Sequence, residues 1–103
     1  MLRSKILASG MYVPPNVYTN NDIAKMMDTS DEWIRQRTGI EQRHWVDDTT
    51  TTSDLAFKAS EIALKNAGVD KKEIDMVILA TLSPDAEFPG TACFLQAKLG
   101  LPG

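Results

Sequence analysis

The chain has 103 residues, enough for one domain that buries roughly 60–65% of its unfolded surface. Its 43% hydrophobic and 24% charged residues are ordinary for a globular protein, and no run approaches the ~18 apolar residues of a membrane-spanning helix. A net charge of −3 argues against general binding to nucleic acid or an anionic membrane, and one cysteine excludes an internal disulfide, which fits a reducing cytoplasm.

Residues 1–8 superficially imitate a signal peptide, with Arg3 and Lys5 ahead of Ile6-Leu7-Ala8. Gly10 and Pro14-Pro15 interrupt the apolar run early, so a first strand over residues 5–8 followed by a turn is the better reading. Thr19 or Asn20 caps a short helix through residues 22–27. Residues 41–46 read as a strand of mixed polarity near an edge, and 47–52 as a polar loop.

Ser53 is expected to cap the longest helix, which runs to about Asn66 with Gly68 as its stop. Leu55, Ala59, Ile62 and Ala63 form its apolar stripe, while Lys58, Glu61 and Lys65 mark a solvated face. A turn over residues 69–75 leads to Met76-Val77-Ile78-Leu79-Ala80-Thr81, an apolar run without alternation. Such a run predicts a strand buried on both faces, as in a parallel sheet. Strand, helix, strand in that order implies a right-handed crossover and an α/β class. Residues 84–90 form a loop, and 91–99 a last helix ended by Gly100. These helices cover too little of a two-faced sheet. Much of the fold is therefore expected to lie outside these residues, beyond the Leu101-Pro102-Gly103 end.

The segment 28–40, DTSDEWIRQRTGI, carries the most information. Thr29 and Glu32 have capping-box spacing, Asp31 and Glu32 complement the helix N-terminus, and Gly39 ends it. Trp33 and Arg37 lie four apart and share a face. Arg35 has Asp31 four residues earlier and reads as half of a surface ion pair, whereas Arg37 has no acid at the corresponding offsets. An indole beside an uncommitted guanidinium suits a planar, negatively charged ligand. Spacing alone leaves the alternative open: Trp33 as a core anchor, with Arg37 answering the helix C-terminus.

The segment TSDEWI…RTGI, together with Glu41-Gln42-Arg43-His44, the 76–81 run and the Phe88-Pro89 loop, resembles β-ketoacyl-acyl carrier protein synthase III. The resemblance runs from Lys5 to Gly103 and covers about the first third of a family member. It implies a thiolase-like layered α/β fold with two similar halves per chain, residues 1–103 being an incomplete N-terminal half-domain. It implies a homodimer that condenses an acyl-CoA primer with malonyl-acyl carrier protein, using coenzyme A thioester as substrate and no resident cofactor. Trp33 then stacks on the adenine of coenzyme A, Arg37 contacts its phosphates and Thr29 lies beside the adenine. Phe88 crosses the dimer interface to the partner's acyl pocket. Leu82 lines the pocket, where many relatives carry a small polar residue.

The family nucleophile, a cysteine at a helix N-terminus, and its histidine and asparagine fall outside residues 1–103, so no catalytic residue is assigned. Cys93 lacks the family nucleophile's small-residue surroundings and is read as a buried small hydrophobe. His44, the only histidine, is read as structural. One histidine and one cysteine make no metal site. Three rival readings accompany this one: a specialised thiolase-fold acyltransferase of secondary metabolism, a non-catalytic coenzyme A-binding module, and a nucleotide or RNA binder disfavoured by the acidic charge.

Overall fold

The computed structural model describes residues 1–102, leaving Gly103 outside the account. The elements are β1 (Asn16–Thr19), α1 (Asn20–Ala24), α2 (Asp31–Thr38), β2 (Gln42–Trp45), α3 (Thr52–Ala67), a 3-10 turn (Lys71–Glu73) and α4 (Thr91–Leu99). They fall into two compact units, residues 13–49 and residues 1–12 with 50–102.

In the 13–49 unit, β1 and β2 pair antiparallel with Val17 opposite His44 and Tyr18 opposite Arg43. β2 was expected; β1 was not, because Pro14-Pro15 ahead of it reads as a turn. The Tyr18 and Trp45 rings, centroids 4.2 Å apart, tilt against each other. His44 donates from Nδ1 to the Pro14 carbonyl oxygen at 2.7 Å, a structural role that fixes which ring nitrogen carries the proton. Thr19 caps α1 with a full capping box to Asp22.

In the other unit α3 packs on α4, whose Leu95 and Leu99 are buried. The α3 cap is Thr51, not Ser53: the Thr51 side chain accepts from Asp54 N and the Asp54 carboxylate reaches back, giving a capping box two residues earlier than expected. Ser53 instead lies completely buried and donates its backbone N–H to Asp85 at 2.8 Å and its hydroxyl to the other carboxylate oxygen. Burial opposes the charge on Asp85, but the Ser53 hydrogen bonds prevail and hold its pKa below the ordinary carboxylate value. Along α3, Leu55, Ala59 and Ala63 are half-buried, whereas Ile62 faces out, which narrows the expected stripe. Gly68 ends α3 in the left-handed conformation, as its position predicted.

The two apolar runs behave differently from expectation. Residues 5–8 and 76–81 form no strand, and the only sheet among the described residues is β1–β2. Val77 and Leu79 are half-buried while Met76 and Ile78 are exposed, Ile78 by 87%. One side of the run finds cover within these residues and the other does not. Burial on both faces requires layers on both sides, and the described residues supply one.

Gly10 shows a close approach that only glycine permits. A Cβ there would stand 2.4 Å from the Ala59 carbonyl oxygen and 2.5 Å from Ala63 N, both α3 backbone atoms that cannot move aside. Gly10→Ala is therefore expected to cost about 2–3 kcal/mol, read as a lowered urea midpoint. The caps carry a pH dependence. Thr19 hydrogen bonds hold Asp22, and a Lys98 hydrogen bond followed by Thr51 holds Asp54, each at about 2 against an ordinary 3.8. A depressed carboxylate stabilises fully above its unfolded pKa and loses that contribution as pH falls through the folded value. Helical circular dichroism should stay flat down to roughly pH 5 and fall between about pH 4 and 2. Thr51→Ala should lower the signal at neutral pH and flatten that acid limb.

Candidate functional site

α2 is a short helix with one side committed to the protein and the other free. Its N-cap is Ser30, whose extended backbone places Oγ to accept from Trp33 N at 3.1 Å. The capping box expected from Thr29 and Glu32 does not form. With the cap one residue later, Glu32 sits at the second helical position and accepts instead from Gln36 at 3.2 Å. Thr29 Oγ1 is buried and has no hydrogen-bond partner among the described residues. Gly39, at φ 72°, closes the helix in the left-handed region, where a Cβ would be strained.

The buried anchor of α2 is Ile34; Trp33 is 54% exposed, which removes the core-anchor alternative for the indole. The Arg37 guanidinium lies over the Trp33 ring, 5.3 Å from its centroid. Asp28, Thr29, Ser30 and Trp33 line an open depression on this side. The helix thus presents a flat aromatic face, a cation beside it and a shielded hydroxyl in the same depression.

The arginines divide as their spacing predicts. Arg35 Nε donates to both Asp31 carboxylate oxygens, at 2.9 and 2.8 Å, and its Nη1 meets Glu41 at 2.5 Å. Hydrogen bonds from Asn20 first, then Arg35, lower the Asp31 pKa, and Asp31 in turn raises that of Arg35. Arg37 enters no ion pair among the described residues.

Asn20, whose importance escaped sequence reasoning, underlies this arrangement. It is completely buried at the start of α1, donates from Nδ2 to Asp31 at 2.8 Å and to the Ile40 carbonyl at 2.7 Å, and accepts from Arg43 at 2.7 Å. An asparagine beside Thr19 reads as a cap candidate, and nothing local distinguishes a cap from a buried hub. The one available signal is that Thr19 already serves as the cap, which leaves the Asn20 amide without a local task.

Phe88 and Leu82 lie in the other unit, both with their side chains almost wholly in solvent, Phe88 by 89%. The segment carrying them is tied down between them. Thr52 Oγ1 donates to the Ser83 carbonyl at 2.5 Å, Asp85 takes the Ser53 bonds, and Asp85 N donates to Thr91 Oγ1 at 2.9 Å. Phe88 is therefore not folded back onto the core of these residues. Cys93, expected to be buried, is exposed on α4, its thiol 3.8 Å from the Pro89 carbonyl oxygen. A ring the size of Phe88 and a thiol on one helix face both lack cover among these residues. No cluster of three or more His, Cys, Asp or Glu side chains suited to a metal forms among the described residues, and no helix is long and apolar enough to cross a membrane.

No family model matches the chain. Over 100 residues it is 55% identical to β-ketoacyl-[acyl-carrier-protein] synthase III of Xanthomonas campestris, covering 97% of this chain and 31% of that protein. The crystal structure of 3-oxoacyl-[acyl-carrier-protein] synthase III from Aquifex aeolicus superposes with a TM-score of 0.85 at 47% identity, over 93% of this chain and 31% of that one. The priming β-ketosynthase of the R1128 polyketide pathway superposes with a TM-score of 0.86 at 31% identity, over 96% and 30%. The chain spans about a third of the length of the proteins it matches, their N-terminal portion. Its fold is the corresponding part of a thiolase-type condensing enzyme.

The two arginines make opposite predictions. Arg35→Gln breaks contacts to Asp31 and Glu41 and is expected to lower the urea midpoint slightly. Arg37→Gln removes a cation in no ion pair, over a solvent-exposed ring, and should move the midpoint less than Arg35→Gln does. A drop for Arg37→Gln as large as that for Arg35→Gln would return Arg37 to a helix-terminus role.

Proposed function

We propose that residues 1–103 are the N-terminal portion of a β-ketoacyl-acyl carrier protein synthase III, an incomplete thiolase-like half-domain that supplies the coenzyme A entrance. One observation carries this reading: an exposed indole with an ion-pair-free guanidinium over its face, on a helix whose other cation is fully engaged. Adenine has a π-face to stack on Trp33, and the nucleotide phosphates offer the anion that Arg37 lacks. The Thr29 hydroxyl, shielded and unpartnered, is suited to a polar edge of the base.

The proposed reaction of the whole enzyme is a decarboxylative Claisen condensation. A cysteine thiolate outside this chain attacks the acyl-CoA carbonyl, and the coenzyme A thiol leaves with a proton. Malonyl-acyl carrier protein loses carbon dioxide, and the carbanion it leaves attacks the acyl-cysteine carbonyl. A carbon–carbon bond forms, the cysteine is released and 3-ketoacyl-acyl carrier protein departs. Donors outside this chain stabilise the developing negative charge. Coenzyme A thioester is consumed as substrate, so the reaction needs no resident cofactor.

Phe88 in this reading reaches the acyl pocket of a second copy, and Leu82 narrows the pocket that receives the primer. Full exposure of both side chains supports surfaces that become buried on assembly. The enzyme is proposed to be a cytoplasmic homodimer acting with acyl carrier protein, without nucleic acid or membrane. A second reading, a priming condensing enzyme of secondary metabolism, is favoured by the likeness to the R1128 ketosynthase and by Leu82. A panel of acyl-CoA primers separates the two.

The intact mass of the natural polypeptide tests the frame: about three times 11.4 kDa fits the enzyme, and a mass near 11.4 kDa favours a self-standing coenzyme A-binding module. Residues 1–103 alone are expected to turn nothing over. In the complete polypeptide, Trp33→Ala and Arg37→Gln should each weaken coenzyme A binding about tenfold by calorimetry. Unchanged binding in both would remove the coenzyme A reading.

A further inference from the structure

We propose that Asn20 is a positioning residue for the Trp33–Arg37 face, one side chain that clamps both ends of the helix that carries it. The inference rests on the coenzyme A reading of that face and adds what orients it.

Arg43 decides how the Asn20 amide points. A guanidinium has donors only, so the atom it meets at 2.7 Å must be the amide oxygen. Arg43 is itself placed by β2 and also donates to the Tyr18 carbonyl oxygen at 3.3 Å across the strand pair. With the oxygen taken, both hydrogens of the Asn20 NH2 group face α2. One goes to Asp31, the first residue of the helix, and the other to the Ile40 carbonyl, just past the Gly39 cap. The main chain adds a bond from Asn20 N to the Glu41 carbonyl oxygen at 3.2 Å. Entry and exit of an eight-residue helix are thus tied to one fully buried amide.

Holding Asp31 has a second effect. Its carboxylate, steadied by Asn20, captures Arg35 through both oxygens, and the adjoining Glu41 takes the far side of the same guanidinium. Arg35 is thereby committed to the helix entrance, and Arg37, four residues past Trp33 on the same face, is the guanidinium over the ring. Without the Asn20 bond, Asp31 is free to turn and Arg35 loses its anchor, which loosens the first turn that carries Trp33. The end bond at Ile40 matters equally, because Arg37 lies in the last turn, which frays unless the chain after Gly39 is fixed. The Asn20 hydrogen bonds go to Asp31, Ile40, Glu41 and Arg43 and to neither Trp33 nor Arg37, so Asn20 acts on the site through α2.

The test uses the complete polypeptide that carries this chain, with coenzyme A as the probe. Asn20→Asp keeps volume and the Arg43 contact but replaces two donors with acceptors facing Asp31 and the Ile40 carbonyl. Arg43→Met removes the group that orients the amide. Trp33→Ala is the reference. Asn20→Asp is expected to weaken coenzyme A binding about tenfold, equivalent to about 1.4 kcal/mol, and to raise KM for the acyl-CoA primer by a similar factor. The kcat at saturating primer should stay within about twofold of the parent, a split that general loosening of the fold would not produce. Arg43→Met should move KM in the same direction by less. Unchanged binding in Asn20→Asp, while Trp33→Ala loses it, would overturn the role of Asn20 and leave the coenzyme A reading standing. Unchanged binding in Trp33→Ala would remove that reading itself. Loss of folding in both Asn20→Asp and Arg43→Met would make the hub purely structural and overturn the proposal equally.

Discussion

A single amide, buried from solvent, organises the smaller unit. Asn20 accepts one strong donor and gives two hydrogen bonds, so the amide oxygen and both amide hydrogens are engaged. Its worth lies less in the net gain of each bond than in the penalty for leaving any unmade, about 1–3 kcal/mol for a buried polar group. That asymmetry is why a two-stranded sheet and two short helices hold one arrangement despite Ile34 being their only large buried apolar side chain among the described residues. Apolar burial is non-directional, whereas three hydrogen bonds from one planar group specify where a helix begins and where it ends.

The larger unit uses the same device with different residues. Ser53 and Thr91, both buried, converge on Asp85, with its backbone N–H bound to Thr91 and its carboxylate bound to Ser53. The bonds fix the backbone of the segment and leave Leu82 and Phe88 projecting. A floppy loop would fold such large apolar groups back onto the nearest greasy surface; a pinned one holds them outward for another surface to cover. The exposed side of residues 76–81 poses the same demand. In both places the apolar cover is absent, which matches a chain that spans about a third of its relatives.

Charge is sorted with similar economy in α2. Acids in its first turn and arginines in its last complement the helix dipole, yet only one arginine is engaged by acids. The free one sits over an exposed ring, held by attraction to its π-face. The helix thus carries a flat aromatic face with a cation beside it.

Much of this was legible from residues alone. Helix stops at Gly39, Gly68 and Gly100 followed from position, because the left-handed conformation penalises any Cβ. The pairing of Arg35 and the freedom of Arg37 followed from four-residue spacing, and the TSDEWI…RTGI segment carried the family resemblance. Caps were misjudged by one residue at Ser30 and two at Thr51, since several hydroxyls in a row offer equivalent local chemistry and the choice falls to what each neighbour must do elsewhere. Thr29 and Ser53 are turned inward by packing, which no pattern of spacing records. The roles of Asn20 and Asp85 were invisible for the same reason: their partners lie 11 to 32 residues away. The amino-acid order determined the local elements, the stops and the chemistry available on each face. Tertiary structure alone decided which polar groups would be buried together, because that depends on desolvation by segments distant in the chain.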